Sequence, residues 1–235
     1  MFGNDKKNDD VERERLFQQR IADLGFKRQQ LPWAVTEIPK FNLPQEETKL
    51  FAERELEDQS LSEEEVERRV LLDLLSQTYN FRTFYKRLHY ELKRARRYQR
   101  MLTVCLVGID GLPTIAKQSG SDMTDALIQS TARIVLNCIR DVDLAGRCRE
   151  DTFGLILPET GLEGAEVAAE RIRTKLERNT VTVGWQSVSM TASLGVACFP
   201  GPAESVDELF AQAAEAMLAG MQRGGNGVVF ATPRK

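Results

Sequence analysis

From residue 70 onward the hydrophobic positions switch repeatedly between helical and extended spacing, and each switch marks a new element. Helical spacing over residues 81–99 gives way to an apolar strand, "LTVCLVGID", and returns in "DMTDALIQSTARIVLNCIR", a helix expected over 122–140. "GRCREDTFGLILPET", residues 146–160, reads as strand, tight turn and strand, with Arg149, Glu150, Asp151 and Thr152 at the tip. A helix over 162–178, the β-rich run "VTVGWQSVSMTASLGVACF", a helix over 205–222 and a last strand "GVVFA" complete the series. The order αβαββαβαβ predicts an α/β sandwich around a mixed sheet of about five strands.

Residues 1–69 follow another pattern and are expected to form a separate, mostly helical extension ahead of a domain over 70–235. "VERERLFQQRIADLGF" places Leu16, Phe17, Ile21 and Leu24 on one side of a short helix stopped by Gly25. In "QQLPWAVTEIPKFNLPQ" three prolines (Pro32, Pro39, Pro44) exclude a continuous helix, while Trp33, Val35, Ile38, Phe41 and Leu43 supply apolar side chains. The natural reading is an extended arm that packs on its own domain or on a partner. Two further helices are expected, near 45–58 and from 62 onward, the second opened by the Ser62–Glu65 capping box. Val66, Val70 and Leu74 follow i, i+4 spacing, but no heptad lasts three repeats, so a long coiled coil is not predicted.

Composition narrows the class without naming it. The chain has 235 residues, 42% hydrophobic and 29% charged, as an ordinary globular protein does. No apolar run reaches the length of a membrane span and the start "MFGNDKKNDD" has no apolar signal core, so a cytoplasmic location without membrane insertion is expected. Cys105, Cys138, Cys148 and Cys198 lie far apart without CxxC spacing, which points to reduced structural thiols rather than zinc or disulfides. His89, the single histidine, stands among basic helical residues and reads as a surface group. Charge is uneven: residues 1–69 carry 17 acidic and 12 basic side chains, residues 70–235 carry 18 and 20. The densest basic run is "RTFYKRLHYELKRARRYQR", residues 82–100. Without a basic loop or an exposed aromatic set beside it, a solvated helix face is the expectation and nucleic-acid binding is not.

Five motifs in order then resemble one family. "DLLSQTYNFRTF" is similar to D-x-L-T-G-L-x-N-R-R-x-F at Asp73, Leu75, Asn80, Arg82 and Phe84. "LVGIDGL" resembles L-L-D-I-D-H-F, and "TFGLILPET" resembles F-A-L-L-L-P-E-T. "SLGVACFP" and "GGNGVV" resemble S-I-G-V-A-x-Y-P and G-R-N-x-V. Together they resemble a GGDEF domain, the bacterial diguanylate cyclase family, over about residues 73–230. The resemblance implies a nucleotidyl-cyclase-like (ferredoxin-like) fold, a mixed five-stranded sheet flanked by helices. In catalytic members it also implies condensation of two GTP molecules to cyclic di-GMP.

Set against that resemblance, the catalytic positions have changed. The family's Mg²⁺ site uses two carboxylates. One falls on Gly108 and the other on Asp151, which is kept. Asp110 lies two residues further along the strand, displaced by about 6 to 7 Å, too far to substitute. The glycine pair that lets main chain approach phosphates falls on Arg149 and Glu150, and the acidic fourth signature residue is Thr152. The guanine-reading asparagine falls on Ala116, its partner aspartate on Asp125, the phosphate-binding lysine on Met221 and the arginine of G-R-N on Gly225. Asp125 and Asp151 are then the vestige of an active site, with no catalytic residue, resident metal or cofactor expected.

A second family feature is intact. "RDVD", Arg140 to Asp143, matches R-x-x-D, with five residues between Asp143 and Arg149 as in the family. By resemblance this is the inhibitory site, which takes cyclic di-GMP as an intercalated dimer with a further arginine from the next helix. That arginine falls on Arg171, with Arg173 as the neighbouring alternative. The chemistry suits guanine: an arginine fork pairs with O6 and N7 and stacks on a ring, and a carboxylate takes N1–H and N2–H. The leading expectation is a non-catalytic cyclic di-GMP receptor that relays occupancy to a protein partner, or a second copy of the chain, through the amino-terminal arm. The alternative is a nucleotide-independent interaction scaffold, in which the pair persists by inheritance alone. Residual cyclase activity and GTP binding without turnover are the remaining readings.

Overall fold

The computed structural model describes residues 70–231. The helices and arm expected before residue 70, with Trp33 and Phe41, lie outside the described residues. The described elements are β1 (Tyr79–Asn80), α1 (Phe81–Tyr98), β2 (Leu102–Ile109), α2 (Leu112–Leu136), β3 (Leu144–Arg147) and β4 (Thr152–Pro158). They continue with α3 (Leu162–Glu177), β5 (Thr180–Val183), β6 (Gln186–Ser189), β7 (Ala192–Phe199), α4 (Val206–Gln222) and β8 (Val228–Phe230).

The main sheet runs β1-β3-β4-β2-β7-β8. β1 pairs parallel with β3 and β7 with β8, whereas β3, β4, β2 and β7 are joined antiparallel, so the sheet is mixed. The five expected strands are present, and the two-residue β1 adds a sixth at one edge. β5 and β6 form a separate hairpin turned at Gly184 and Trp185. Among the described residues no helix is long and apolar enough to cross a membrane.

β2 explains where the two cores sit. All eight of its residues are buried, because strands flank it on both edges and helices cover both faces. Alternate residues point to opposite faces. Cys105, Val107 and Ile109 join the core under α2, α3 and the β5–β6 hairpin, whereas Val104 and Leu106 join the core under α1 and α4. α4 lies so close to β7 that a Cβ on Gly195 would come 2.0 Å from the Ala213 carbonyl oxygen. Glycine in a strand interior serves such close backbone approach.

Helix ends follow local chemistry. The Asn80 side chain accepts from the Thr83 N–H at 3.0 Å to start α1, and Ser205 Oγ accepts from the Glu208 N–H at 3.1 Å to start α4. The second helix differs from its expected span of 122–140. It begins ten residues earlier, at Leu112, and residues 112–119 and 121–136 meet at a kink on Gly120, whose φ of 81° interrupts the helical path. The polar stretch around Gly120 hid the first segment, which is held by buried Leu112 and by Ile115 against the core. The helix ends at Leu136, so Arg140 stands in the turn beyond it.

The thiols are unpaired. Burial, with the neighbouring Cys198, pushes the Cys105 thiol up to about 12, and burial also raises Cys148 and Cys198 above the ordinary thiol value. Cys105, Cys148 and Cys198 are therefore not activated as thiolates.

Candidate functional site

The expected strand–turn–strand forms as the hairpin of β3 and β4, with Gly146 opposite Gly154 and Arg147 opposite Phe153. Its tip is shifted by one residue from the expected 149–152: Thr152 opens β4 and is buried, leaving residues 148–151 as the turn. Main-chain N–H groups of Cys148 and Arg149 both donate to the Thr152 carbonyl, at 2.8 and 3.1 Å.

Arg147 holds this turn to the opening motif. Its guanidinium donates to the Arg149 carbonyl at 3.3 Å and the Glu150 carbonyl at 3.1 Å, and it pairs with Asp73 at 3.2 Å. Asp73 also accepts from the Ser76 N–H at 2.9 Å and the Ser76 hydroxyl at 2.7 Å. Burial pushes the Asp73 carboxyl up, but the Ser76 hydrogen bonds and the Arg147 charge outweigh it and hold the group below its ordinary value. A carboxyl depressed in the folded state adds stability above its unfolded pKa and loses it as pH falls through the folded value. Arg147→Gln is therefore expected to lower stability at neutral pH. The gap to the unmutated protein should narrow once pH drops below about 4. Urea unfolding of both proteins at neutral and acid pH reads this directly, and a gap that widened in acid would refute the clamp.

The positions read as a metal site do not fit one. Gly108 offers no ligand, and a Cβ there would lie 2.3 Å from the Met221 methyl and 2.9 Å from Met217 Sδ. Two methionines of α4 thus fill the space beside the strand, and one of them is the residue at the expected phosphate-lysine position. Asp151 keeps its carboxylate, but Oδ1 accepts from the Thr152 hydroxyl at 2.8 Å and lies 4.0 Å from Arg149 Nε.

Asp110 is equally committed. Oδ1 accepts from Ser193 at 2.8 Å, while Oδ2 accepts from Thr191 at 2.8 Å and from the Asn226 main-chain N–H at 2.9 Å. Gly225, with φ of 78°, presses on this carboxylate: a Cβ there would come 2.8 Å from Asp110 Oδ2. Asp110 is thus the anchor of the loop before β8, a role sequence reasoning missed. Asp125 is exposed on α2 and has no hydrogen-bond or ion-pair partner among the described residues. Among the same residues no group of three His, Cys, Asp or Glu side chains is placed to hold a metal ion.

The second cluster does converge. Asp143 Oδ2 accepts from the Arg140 main-chain N–H at 2.8 Å, and the Asp143 N–H donates to the Arg140 carbonyl at 3.0 Å, which closes the turn after α2. Asp143 Oδ1 is buried with no hydrogen-bond partner. The exposed Arg140 guanidinium has no hydrogen-bond or ion-pair partner among the described residues. From α3, Arg171 donates one guanidinium nitrogen to the Cys138 carbonyl at the end of α2. Cys138 lies two residues before Arg140, and no other hydrogen bond or ion pair engages the Arg171 guanidinium among the described residues. Arg173, the neighbouring arginine of α3, is already held by other partners. It is engaged by Glu170 at 2.7 Å, Glu177 at 3.1 Å and Asn226 at 2.9 Å.

A mixed sheet with α1 and α4 on one face, α2 and α3 on the other, and a hairpin presenting the signature turn defines a GGDEF-type α/β domain. The chain belongs to that family: the profile described as "Diguanylate cyclase, GGDEF domain" matches residues 70–227. Diguanylate cyclase A of Treponema denticola is 26% identical over 139 residues, 59% of this chain and 38% of that protein. Response regulator PleD of Caulobacter vibrioides is 29% identical over 159 residues, 67% of this chain and 35% of that protein. The chain thus spans little more than a third of the length of these relatives. The solved GGDEF domain of DgcB from Caulobacter crescentus, in complex with c-di-GMP, superposes with a TM-score of 0.66 at 21% identity. The match covers 69% of this chain and 93% of that one, and it establishes the shared fold.

Proposed function

We propose that this domain is a non-catalytic cyclic di-GMP receptor. The observation that carries the reading is the convergence of Arg140, Asp143 and Arg171 around the end of α2, with one buried Asp143 oxygen unpartnered and the Arg140 guanidinium free among the described residues. A buried acceptor without a donor is costly, and a ligand that supplies N–H groups relieves the cost. Guanine does so through N1–H and N2–H, while Arg140 and Arg171 offer forks to O6, N7 and phosphate oxygens. Similarity to a domain solved with c-di-GMP supports the ligand class.

Loss of turnover rests on the other site. Cyclase chemistry needs charge neutralisation at a triphosphate, and the position expected to supply a carboxylate is a glycine packed against Met217 and Met221. Of the old site's carboxylates, Asp151 is held by Thr152 and Arg149, and Asp125 stands exposed on α2. The relay would run to a protein partner or a second copy of the chain through the segment before residue 70.

One observation favours the scaffold reading. Asp143 and Arg140 close a turn by main-chain and side-chain hydrogen bonds, so Asp143 has a structural use without ligand. Calorimetric titration of the full chain with cyclic di-GMP separates the two. The receptor gives saturable heat at roughly micromolar concentration or below, and native mass measured in parallel shows two nucleotides per site if the ligand is an intercalated dimer. No heat well above that range leaves the scaffold.

A further inference from the structure

We propose that α1 is a docking ridge for the acidic face of an amphipathic helix from a partner protein. It is distinct from the nucleotide site. Seven of the helix's 18 residues are basic and one is acidic. At about 100° per residue, Arg82, Lys86, Lys93 and Arg97 fall within one narrow stripe, opposite buried Phe84, Leu88, Leu92 and Ala95. Tyr90, 62% exposed, lies along the same stripe, and no carboxylate does. Arg82, Lys86 and Lys93 have no ion-pair or hydrogen-bond partner among the described residues, and Arg97 only sits 5.4 Å above the Tyr98 ring.

Beside the stripe lies a groove of about 390 Å³ at the carboxyl-terminal end of α1. Tyr98, Met101 and Pro158 supply apolar lining, and Tyr98 and Met101 are 57% and 51% exposed. Its two cations are balanced locally: Arg94 pairs with Glu91 at 3.3 Å and Arg100 with Glu159 at 3.8 Å. The groove is thus suited to an uncharged apolar side chain, and the stripe to carboxylates, with Arg94 between them on the helical wheel.

This combination selects the occupant. With Tyr90 between Lys86 and Lys93, the stripe recurs every three to four residues over about four turns, the spacing at which a partner helix presents carboxylates. An apolar anchor in a groove is how amphipathic helices gain specificity. A phosphate backbone would instead meet Glu91 and Glu159 at the groove. A lipid surface needs protruding apolar side chains, and here they line a recess.

The test uses the full chain and a fluorescent synthetic helix of about 20 residues with Glu along one ridge and Leu on the adjoining face. Three comparison peptides replace Glu with Gln, Leu with Ser, or both. Saturable anisotropy with the Glu/Leu peptide, weakening as salt rises, is expected. The Lys86→Glu/Lys93→Glu double variant should bind on the order of tenfold more weakly and still bind cyclic di-GMP as the unmutated chain does. Tyr98→Ser should weaken the Leu peptide but not the Ser peptide. Thermal unfolding confirms that each variant is folded. The proposal is overturned if the Glu/Leu peptide does not bind or the double variant binds it undiminished. It is also overturned if a DNA duplex or vesicles of roughly one-third phosphatidylserine bind as tightly.

Discussion

Cyclic di-GMP affinity is expected to fall by roughly a hundredfold in Arg140→Ala, a loss of about 3 kcal/mol, while the unfolding midpoint stays where it was. The magnitude is that of removing one member of a charge-assisted, partly desolvated contact. Stability should hold because the guanidinium has no hydrogen-bond or ion-pair partner to lose among the described residues, and the turn is built from the main chain of Arg140. Arg140→Lys should recover only part of the affinity, since an ammonium keeps the charge but not the planar fork. Asp143→Asn is the complementary variant. Its amide oxygen can still accept from the Arg140 N–H, but the carboxylate that would take two guanine donors is gone. Calorimetry beside thermal unfolding distinguishes the outcomes. A variant that loses both affinity and stability would mean the pair serves the turn alone.

The largest effect on stability is expected at Phe84. Its ring is fully buried and lies under the hairpin, where Cβ atoms on Gly146 and Gly154 would come within 2.7 and 2.6 Å of its atoms. These two glycines face each other across β3 and β4. The aromatic residue of the opening motif therefore seats the hairpin that carries the signature turn. Phe84→Ala should cost about 3–5 kcal/mol, through lost burial and the cavity left behind. For a chain of this size that lowers the melting midpoint by about 10 °C. Differential scanning calorimetry measures it, and a shift of a degree or two would show that the hairpin is held mainly by its own pairing. Phe84→Leu, which refills part of the space, should restore part of the loss.

Much of the fold was legible because its signals are local. α1, α3 and α4 begin and end within a residue or two of their expected limits, where Asn80 and Ser205 cap and the helical spacing stops. The first segment of α2 was not legible, because Gly120 and its polar neighbours resemble a loop and only packing by Leu112 and Ile115 makes the segment a helix. Strand glycines carried a usable signal that the periodicity did not exploit. Gly146, Gly154 and Gly195 mark where a ring or a helix backbone presses on the sheet.

The candidate sites divide in the same way. The residue identities at Arg140, Asp143, Asp151 and Gly108 are sequence facts. Which arginine of α3 faces the Arg140 turn was open between Arg171 and Arg173. It was decided by where α3 packs, with Arg173 drawn to Glu170, Glu177 and Asn226 and Arg171 to the end of α2.

By itself the sequence determined the order of elements, the family motifs and the residue types at each site, because period, capping and identity are encoded within a few positions. Only the tertiary structure decided that Met217 and Met221 close on Gly108, that Asp110 anchors the Gly225–Asn226 loop, and that Asp143 keeps an unpartnered oxygen beside Arg140. Those outcomes depend on contacts between segments tens of residues apart, and no local pattern specifies which long-range neighbour will satisfy, or fail to satisfy, a buried group.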